Sequence, residues 1–285
     1  MIIDFHTHLF PRQFRDNRQR FFDGEPAFRL IYDSSKAPLV GAHELLRHMD
    51  ESGIERSVVF GFPWERYENF RRHNDYILET VGRYPDRLIG FCCFSPLSIK
   101  GAQEAERCLS AGLKGVGELA VYAGGMNRSV IDALQEVMAI CKDRDVPVLI
   151  HTNEPIGHSY PGKAPMTVSQ IYELVKQFPQ NRIILAHWGG GLVFYGLMKK
   201  EVKETLKNVW FDTAASPFLY DAQIYRIAGI AAGYDKVLFG TDYPLLPASR
   251  YFSELESSGI SAKDREKILG LNARRLLGLE KTGAE

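Results

Sequence analysis

Eight short apolar runs, each followed by a stretch of helical spacing, constrain this chain more than any other feature. The runs are IIDFH (2–6), RSVVFGF (56–62), RLIGFCCF (87–94), LKGVGEL (113–119), VPVLIHT (146–152), RIILAHW (182–188), VWFDTA (209–214) and KVLFGTD (236–242). Their β-branched and aromatic content reads as strand. Their near-continuous apolarity reads as a parallel sheet covered on both faces. Between them, AHELLRHMDESG (42–53), NFRRHNDYILETVGRY (69–84), SVIDALQEVMAICKDR (129–144) and SQIYELVKQF (169–178) place apolar residues at helical spacing. Gly53, Gly112 and Gly233 fall where a helix ends in a left-handed residue. Eight strand–helix units predict an α/β fold, a TIM (β/α)8 barrel formed as one domain over residues 1–285. An open doubly wound sheet is the competing architecture. It usually has a glycine-rich phosphate turn after its first strand, and HTHLFP stands there instead.

One connection is too long for a plain barrel loop. Residues 9–41 include LFPRQFRDNRQRFFDGEPAFRL, and so many aromatic residues favour a packed lid over a loose linker. After the last helix, KDREKILGLNARRLLG, the chain runs into a polar tail. Lys and Arg together number 35, as do Asp and Glu, so no basic excess points to nucleic acid or an acidic membrane as partner. No apolar run is long enough to span a bilayer, and no signal peptide precedes the first strand. Cys92, Cys93, Cys108 and Cys141 form no CxxC pair and read as small buried hydrophobes in a reducing, cytoplasmic setting. The assembly is left open, a homodimer included.

Buried strands are apolar, so titratable groups at their C-terminal ends need a reason. His6 and His8, Glu118, His151, His187 and Asp242 all fall there, on different strands. In a barrel these ends meet on one face, where active sites are built. Residues two apart on a strand share a side, so if His6 faces the interior, His8 and Asp4 do too, and Ile3, Phe5 and Thr7 face outward. By the same phase Glu118 points inward with Val116 and Lys114. Two imidazoles on one face suit a transition metal such as Zn²⁺ better than Mg²⁺ or Ca²⁺, which prefer oxygen. Each residue alone has an ordinary explanation: a core histidine, a turn or a loop cap. Even without Glu118, four strands placing metal-type ligands at the same end do not.

HTH at 6–8, IHTNEP at 150–155, LAHWGGG at 185–191 and GTDYP at 240–244 resemble the amidohydrolase superfamily. More narrowly they resemble the amidohydrolase-related family that includes aminocarboxymuconate-semialdehyde decarboxylase, as does the ending NARRLLGL (272–279). That resemblance implies a metal, Zn²⁺ or another divalent transition ion, held by His6, His8, His151 and Asp242. His187 would assist beside it or ligate a second ion, and Asp242 and His187 would be the catalytic pair. Glu118 departs from those decarboxylases. GVGELAVY instead resembles the GEIGLD-type strand of TatD-like metal hydrolases, in which a glutamate binds metal and often bridges two ions. A structural salt bridge is the alternative for Glu118.

The leading expectation is a metal-dependent hydrolase that uses metal-activated water on a small ester, lactone or amide. The alternative is a non-oxidative decarboxylase of a small unsaturated or aromatic acid. An inactive metal-binding scaffold is a third. Candidate substrate contacts are Trp64 as an apolar wall, His158, Tyr160 and Lys163 in the loop 153–166, and Arg29 with Arg12 in the long first loop. The glycines 189–191 are compatible with a phosphate cradle, and His43, His48 and His73, on expected helices, receive no role.

Overall fold

The computed structural model describes residues 1–279; the tail at 280–285 lies outside them. Eight parallel strands run in sequence order around one sheet. They are β1 (Ile3–His8), β2 (Arg56–Phe60), β3 (Leu88–Cys92), β4 (Gly115–Leu119), β5 (Val148–Ile150), β6 (Ile183–Leu185), β7 (Val209–Asp212) and β8 (Val237–Leu238). β8 returns to β1. The Phe5 amide donates to the Phe239 carbonyl at 2.7 Å, the His8 amide to Tyr243 and the Asp242 amide to His6. Thr7 bridges Tyr243 in parallel register. The architecture is the expected TIM barrel.

Two apolar sets divide the strands by side. Val59, Cys92, Val116, Val148, Ile150, Ile183, Leu185, Val209 and Phe211 pack with helical residues such as Leu45, Ile77, Leu109 and Leu174. Ile3, Phe5, Val58, Phe60, Ile89, Phe91, Leu149, Ile184 and Leu238 form the second set, with Ala273 and Leu276 of the C-terminal helix Asn272–Leu276 against them. This second set fills the barrel. The strand phase read from the sequence therefore needs correction. Ile3 and Phe5 point inward, and Asp4 turns to Thr241, whose hydroxyl donates to it at 2.6 Å. The β1–β2 ladder shifts register between Asp4 and Thr7, which resets the alternation before the histidines. β4 behaves alike. Val116 faces the helices, yet Glu118 two residues later faces the barrel. The ladder shifts between Val116 and Leu119, and Gly117 sits there at φ 132°, where a Cβ would collide with the Leu149 carbonyl.

The expected helix at 129–144 is two, Arg128–Ala133 and Gln135–Asp143. The first loop is helical, with Arg12–Asp16 and Pro26–Tyr32 joined by a short 3₁₀ turn. Phe10, Phe14 and Phe28 bury it against the barrel. Glu25 anchors it: its carboxylate accepts the amides of Glu65 (2.8 Å) and Arg66 (3.0 Å) and the Asn69 side chain, at the start of helix Tyr67–Arg83. The four cysteines are free and buried. No helix among the described residues is long and apolar enough to cross a membrane.

Candidate metal centre

His6, His8, Glu118, His151, His187 and Asp242 converge at the C-terminal end of the barrel. Three overlapping groups have their ligand atoms within 4.8 Å of one another: His6–His8–Glu118, His6–His187–Asp242 and Glu118–His151–His187. Glu118 is central. Its Oε2 lies 3.8 Å from His8 Nε2, and its Oε1 lies 3.1 Å from His151 Nδ1, 3.6 Å from His187 Nε2 and 3.8 Å from His6 Nε2. Asp242 Oδ1 lies 3.3 Å from His8 Nε2 and 3.6 Å from His6 Nε2.

The outer nitrogens are tied down. His6 Nδ1 donates to Asp212 at 2.8 Å, His8 Nδ1 to the Gly61 carbonyl at 3.1 Å and His187 Nδ1 to the Ala214 carbonyl at 2.9 Å. Each turns its Nε2 toward the centre, the arrangement metal-binding histidines use. His6 Nε2 is buried with no hydrogen-bond partner. A buried orphan acceptor facing two carboxylates fits a cation between them. His151 makes the same point. Its Nε2 donates to the Gly162 carbonyl, so its Nδ1, 3.1 Å from Glu118, needs either a second proton or a shared cation.

The local field is that of a cation site. Burial pulls the His6 pKa down, but Asp212, Glu118 and Asp242 more than reverse this and push it up to about 10. His187, buried too, is carried to about 9 by Glu118 and Asp242. Burial would raise both acids, yet the histidines hold Glu118 well below, and Asp242 below, the usual carboxylate range.

The backbone ends its strands early to make this centre. His151, His187 and Asp242 lie beyond the last ladder residues of β5, β6 and β8, although the sequence reads as strand through them. His187 (φ 55°) and Asp242 (φ 59°) adopt the left-handed region, which turns their side chains off the sheet. Gly189, Gly190 and Gly191 continue that turn at positive φ.

The expected substrate contacts scatter. Trp64 is wholly buried among Phe14, Phe28 and Phe62, with no surface for a ligand. Arg29 and His158 are exposed, and Arg12 is exposed and paired with Asp16. Tyr160 and Lys163 both reach Glu154, the lysine at 2.9 Å and the tyrosine hydroxyl at 3.0 Å. His73, assigned no role, is buried and organises the β1–β2 edge of the site. Two further phenols went unnoticed in the sequence. The Tyr122 ring lies 5.2 Å from His151 and 6.2 Å from Phe62, and Tyr32 packs 5.8 Å from Phe62. Burial, and then the charges of Asp242 and Glu118, hold both phenols protonated. Asp212 was also missed. The rule that singled out the other acids, a titratable group at a strand end, would have found it in VWFDTA.

A parallel barrel with such a His/Glu/Asp cluster at the C-terminal ends of its strands defines a metal-dependent barrel enzyme with a divalent metal site. This chain belongs to the amidohydrolase family, whose family model, described as Amidohydrolase, matches residues 3–279. It is 25% identical over 287 residues to a gamma-resorcylate decarboxylase of Polaromonas sp. (strain JS666 / ATCC BAA-500), covering 83% of this chain and 87% of that one. It is 25% identical over 341 residues to 2-amino-3-carboxymuconate-6-semialdehyde decarboxylase of Dictyostelium discoideum, covering 98% and 92%. In fold it is similar to a dihydroxybenzoic acid decarboxylase from Polaromonas sp. JS666, solved with bound manganese and the inhibitor 2-nitroresorcinol. That similarity has a TM-score of 0.71 and 22% identity over 98% of this chain and 97% of the other. The two curated relatives overturn the expectation of ester, lactone or amide hydrolysis, since both are decarboxylases. Glu118, which favoured hydrolysis in the sequence, does not outweigh them.

Proposed function

We propose that the protein is a metal-dependent, non-oxidative decarboxylase of a small aromatic or unsaturated acid. The observation that carries this reading is the Glu118-centred cluster, with the Nε2 atoms of His6, His8 and His187 turned toward it, in a chain related along its length to decarboxylases. His6, His8, Glu118 and Asp242 would hold one divalent ion, Mn²⁺ or Zn²⁺, with His151 and His187 against Glu118 Oε1. The Glu118–His151–His187 group is a second place for an ion.

When bound, the ion supplies a positive charge that binds and polarises the substrate's oxygens. The chain's own groups then handle the proton. His187 keeps its Nδ1–H on the Ala214 carbonyl, so any proton it transfers sits on Nε2, facing the site. That proton goes to the substrate carbon bearing the carboxylate. The C–C bond then breaks, its electrons return to the ring or double bond, and CO₂ leaves. Asp242, beside His8 and near His187 in the same cluster, resupplies the proton from solvent. Tyr32, Phe62 and Tyr122 wall the site with aromatic faces suited to a planar substrate.

The test is CO₂ release from hydroxybenzoates and carboxymuconate-type acids by Mn²⁺- or Zn²⁺-loaded protein. Turnover of esters or lactones with no CO₂ from any acid would sink the reading.

A further inference from the structure

One carboxylate touches both histidine-bearing arms of the cluster. Asp212, at the end of β7, is buried. Its Oδ2 accepts the His6 Nδ1 proton at 2.8 Å. Its Oδ1 accepts the backbone amides of His187 at 2.9 Å and Ala214 at 3.0 Å. The Ala214 carbonyl in turn accepts His187 Nδ1 at 2.9 Å. Asp212 therefore does two separable things. Through Oδ1 it holds the left-handed backbone at His187, and with Ala214 it orients that ring. Through Oδ2 it fixes which nitrogen of His6 carries the proton.

We propose that Asp212 is the positioning residue of the metal centre, and that its Oδ2 hydrogen bond keeps the proton of the neutral His6 ring on Nδ1 and so presents Nε2 to the ion. The inference rests on the metal site and is independent of which reaction the site performs.

The two oxygens make the role testable with one substitution. Backbone amides only donate, so in Asp212→Asn the side-chain carbonyl must take the Oδ1 position. The NH₂ group then faces His6 Nδ1 and donates to it. His6 is forced to carry its proton on Nε2, where it cannot ligate, while the His187 turn keeps its acceptor. Asp212→Ala removes both functions.

The expected result is that D212N keeps wild-type thermal stability but binds Mn²⁺ 10- to 100-fold more weakly, as loss of an orienting partner does elsewhere. D212A should lose metal affinity and stability together. Nitrogen-15 spectra of the Zn²⁺-loaded wild type should show His6 protonated on Nδ1. A folded D212N that binds Mn²⁺ as tightly as the wild type overturns the proposal. Should D212N fold poorly, the wild-type spectrum decides: His6 ligating through Nδ1 also overturns it. None of these readouts uses catalytic turnover, so they stand apart from the decarboxylase assay.

Discussion

Trp64 donates its indole N–H to Nδ1 of His73 at 2.8 Å, deep beneath the long first loop. The opposite nitrogen of His73 donates to the Leu9 carbonyl, just past the metal-site strand β1. Gly61, whose carbonyl holds His8, packs so closely on the His73 ring that a Cβ there would come within 2.7 Å of it. His73 is thus a neutral wedge that sets the spacing of the first two strand ends, with one nitrogen accepting and the other donating.

That neutrality predicts a pH dependence of folding. Burial lowers the His73 pKa from its ordinary 6.5 to about 3. Between these values the unfolded chain binds a proton that the folded chain does not. Stability from this group is complete above pH 6.5 and falls as the pH drops, by about 1.4 kcal/mol per pH unit. Denaturant titrations from pH 7 to pH 4 should show this slope, and His73→Gln should flatten it relative to the wild type. An unchanged slope in the variant would show that other groups carry the acid sensitivity.

Glu25 is the loop's main polar anchor. Glu25→Ala leaves two backbone amides and the Asn69 side chain without their acceptor, at a cost of about 1–3 kcal/mol. The loss should appear as a lower melting temperature and as faster proteolysis within residues 9–41. Cleavage elsewhere first would argue that the loop is held by its phenylalanines instead.

His6→Ala removes the most enclosed of the site's imidazoles. The variant should retain well under a tenth of the wild-type metal after dialysis, measured by elemental analysis, and lose turnover in proportion. Chelated wild type should regain activity with Mn²⁺ or Zn²⁺. Full activity in metal-free protein would remove the basis for the site.

Glu118→Gln keeps the shape of the cluster but removes the charge shared by its two halves. Titration with Mn²⁺ should show one tight ion per chain in the wild type and at least tenfold weaker binding in the variant. Two tight ions in the wild type, both weakened by the substitution, would place the second on Glu118, His151 and His187.

The barrel was legible because strand number, strand apolarity and helix spacing are local signals, and the residues at the strand ends were legible because titratable groups there are conspicuous. Their orientation was not. Simple alternation assigns Asp4 and Val116 to the barrel interior, whereas the register shifts at Asp4–Thr7 and Val116–Leu119 reverse the phase just before His6 and Glu118. A register shift arises from pairing with a neighbouring strand, which one strand's pattern does not report. Trp64 misled for a related reason. An aromatic residue after a strand can line a pocket or fill the core, and Phe14, Phe28 and His73, distant in sequence, decide it. Tyr32 and Tyr122 were hidden because the first lies in the long insertion and the second beyond the end of β4, where spacing carries no direction.

The barrel closes where β8 meets β1, and His6, His8 and Asp242 of the cluster are among the residues that stitch that join. The Asp242 amide bonds the His6 carbonyl, and Thr7 bridges Tyr243. The first and last strands of a sequential barrel are the pair farthest apart along the chain, so this join has the largest loop to close. An ion gripped by His6 and His8 on one side and Asp242 on the other would act as a clasp on that seam. Metal loading would then reinforce ring closure: stripped of metal, the protein should exchange its amide hydrogens first along β1 and β8, opening like a bracelet at its fastening.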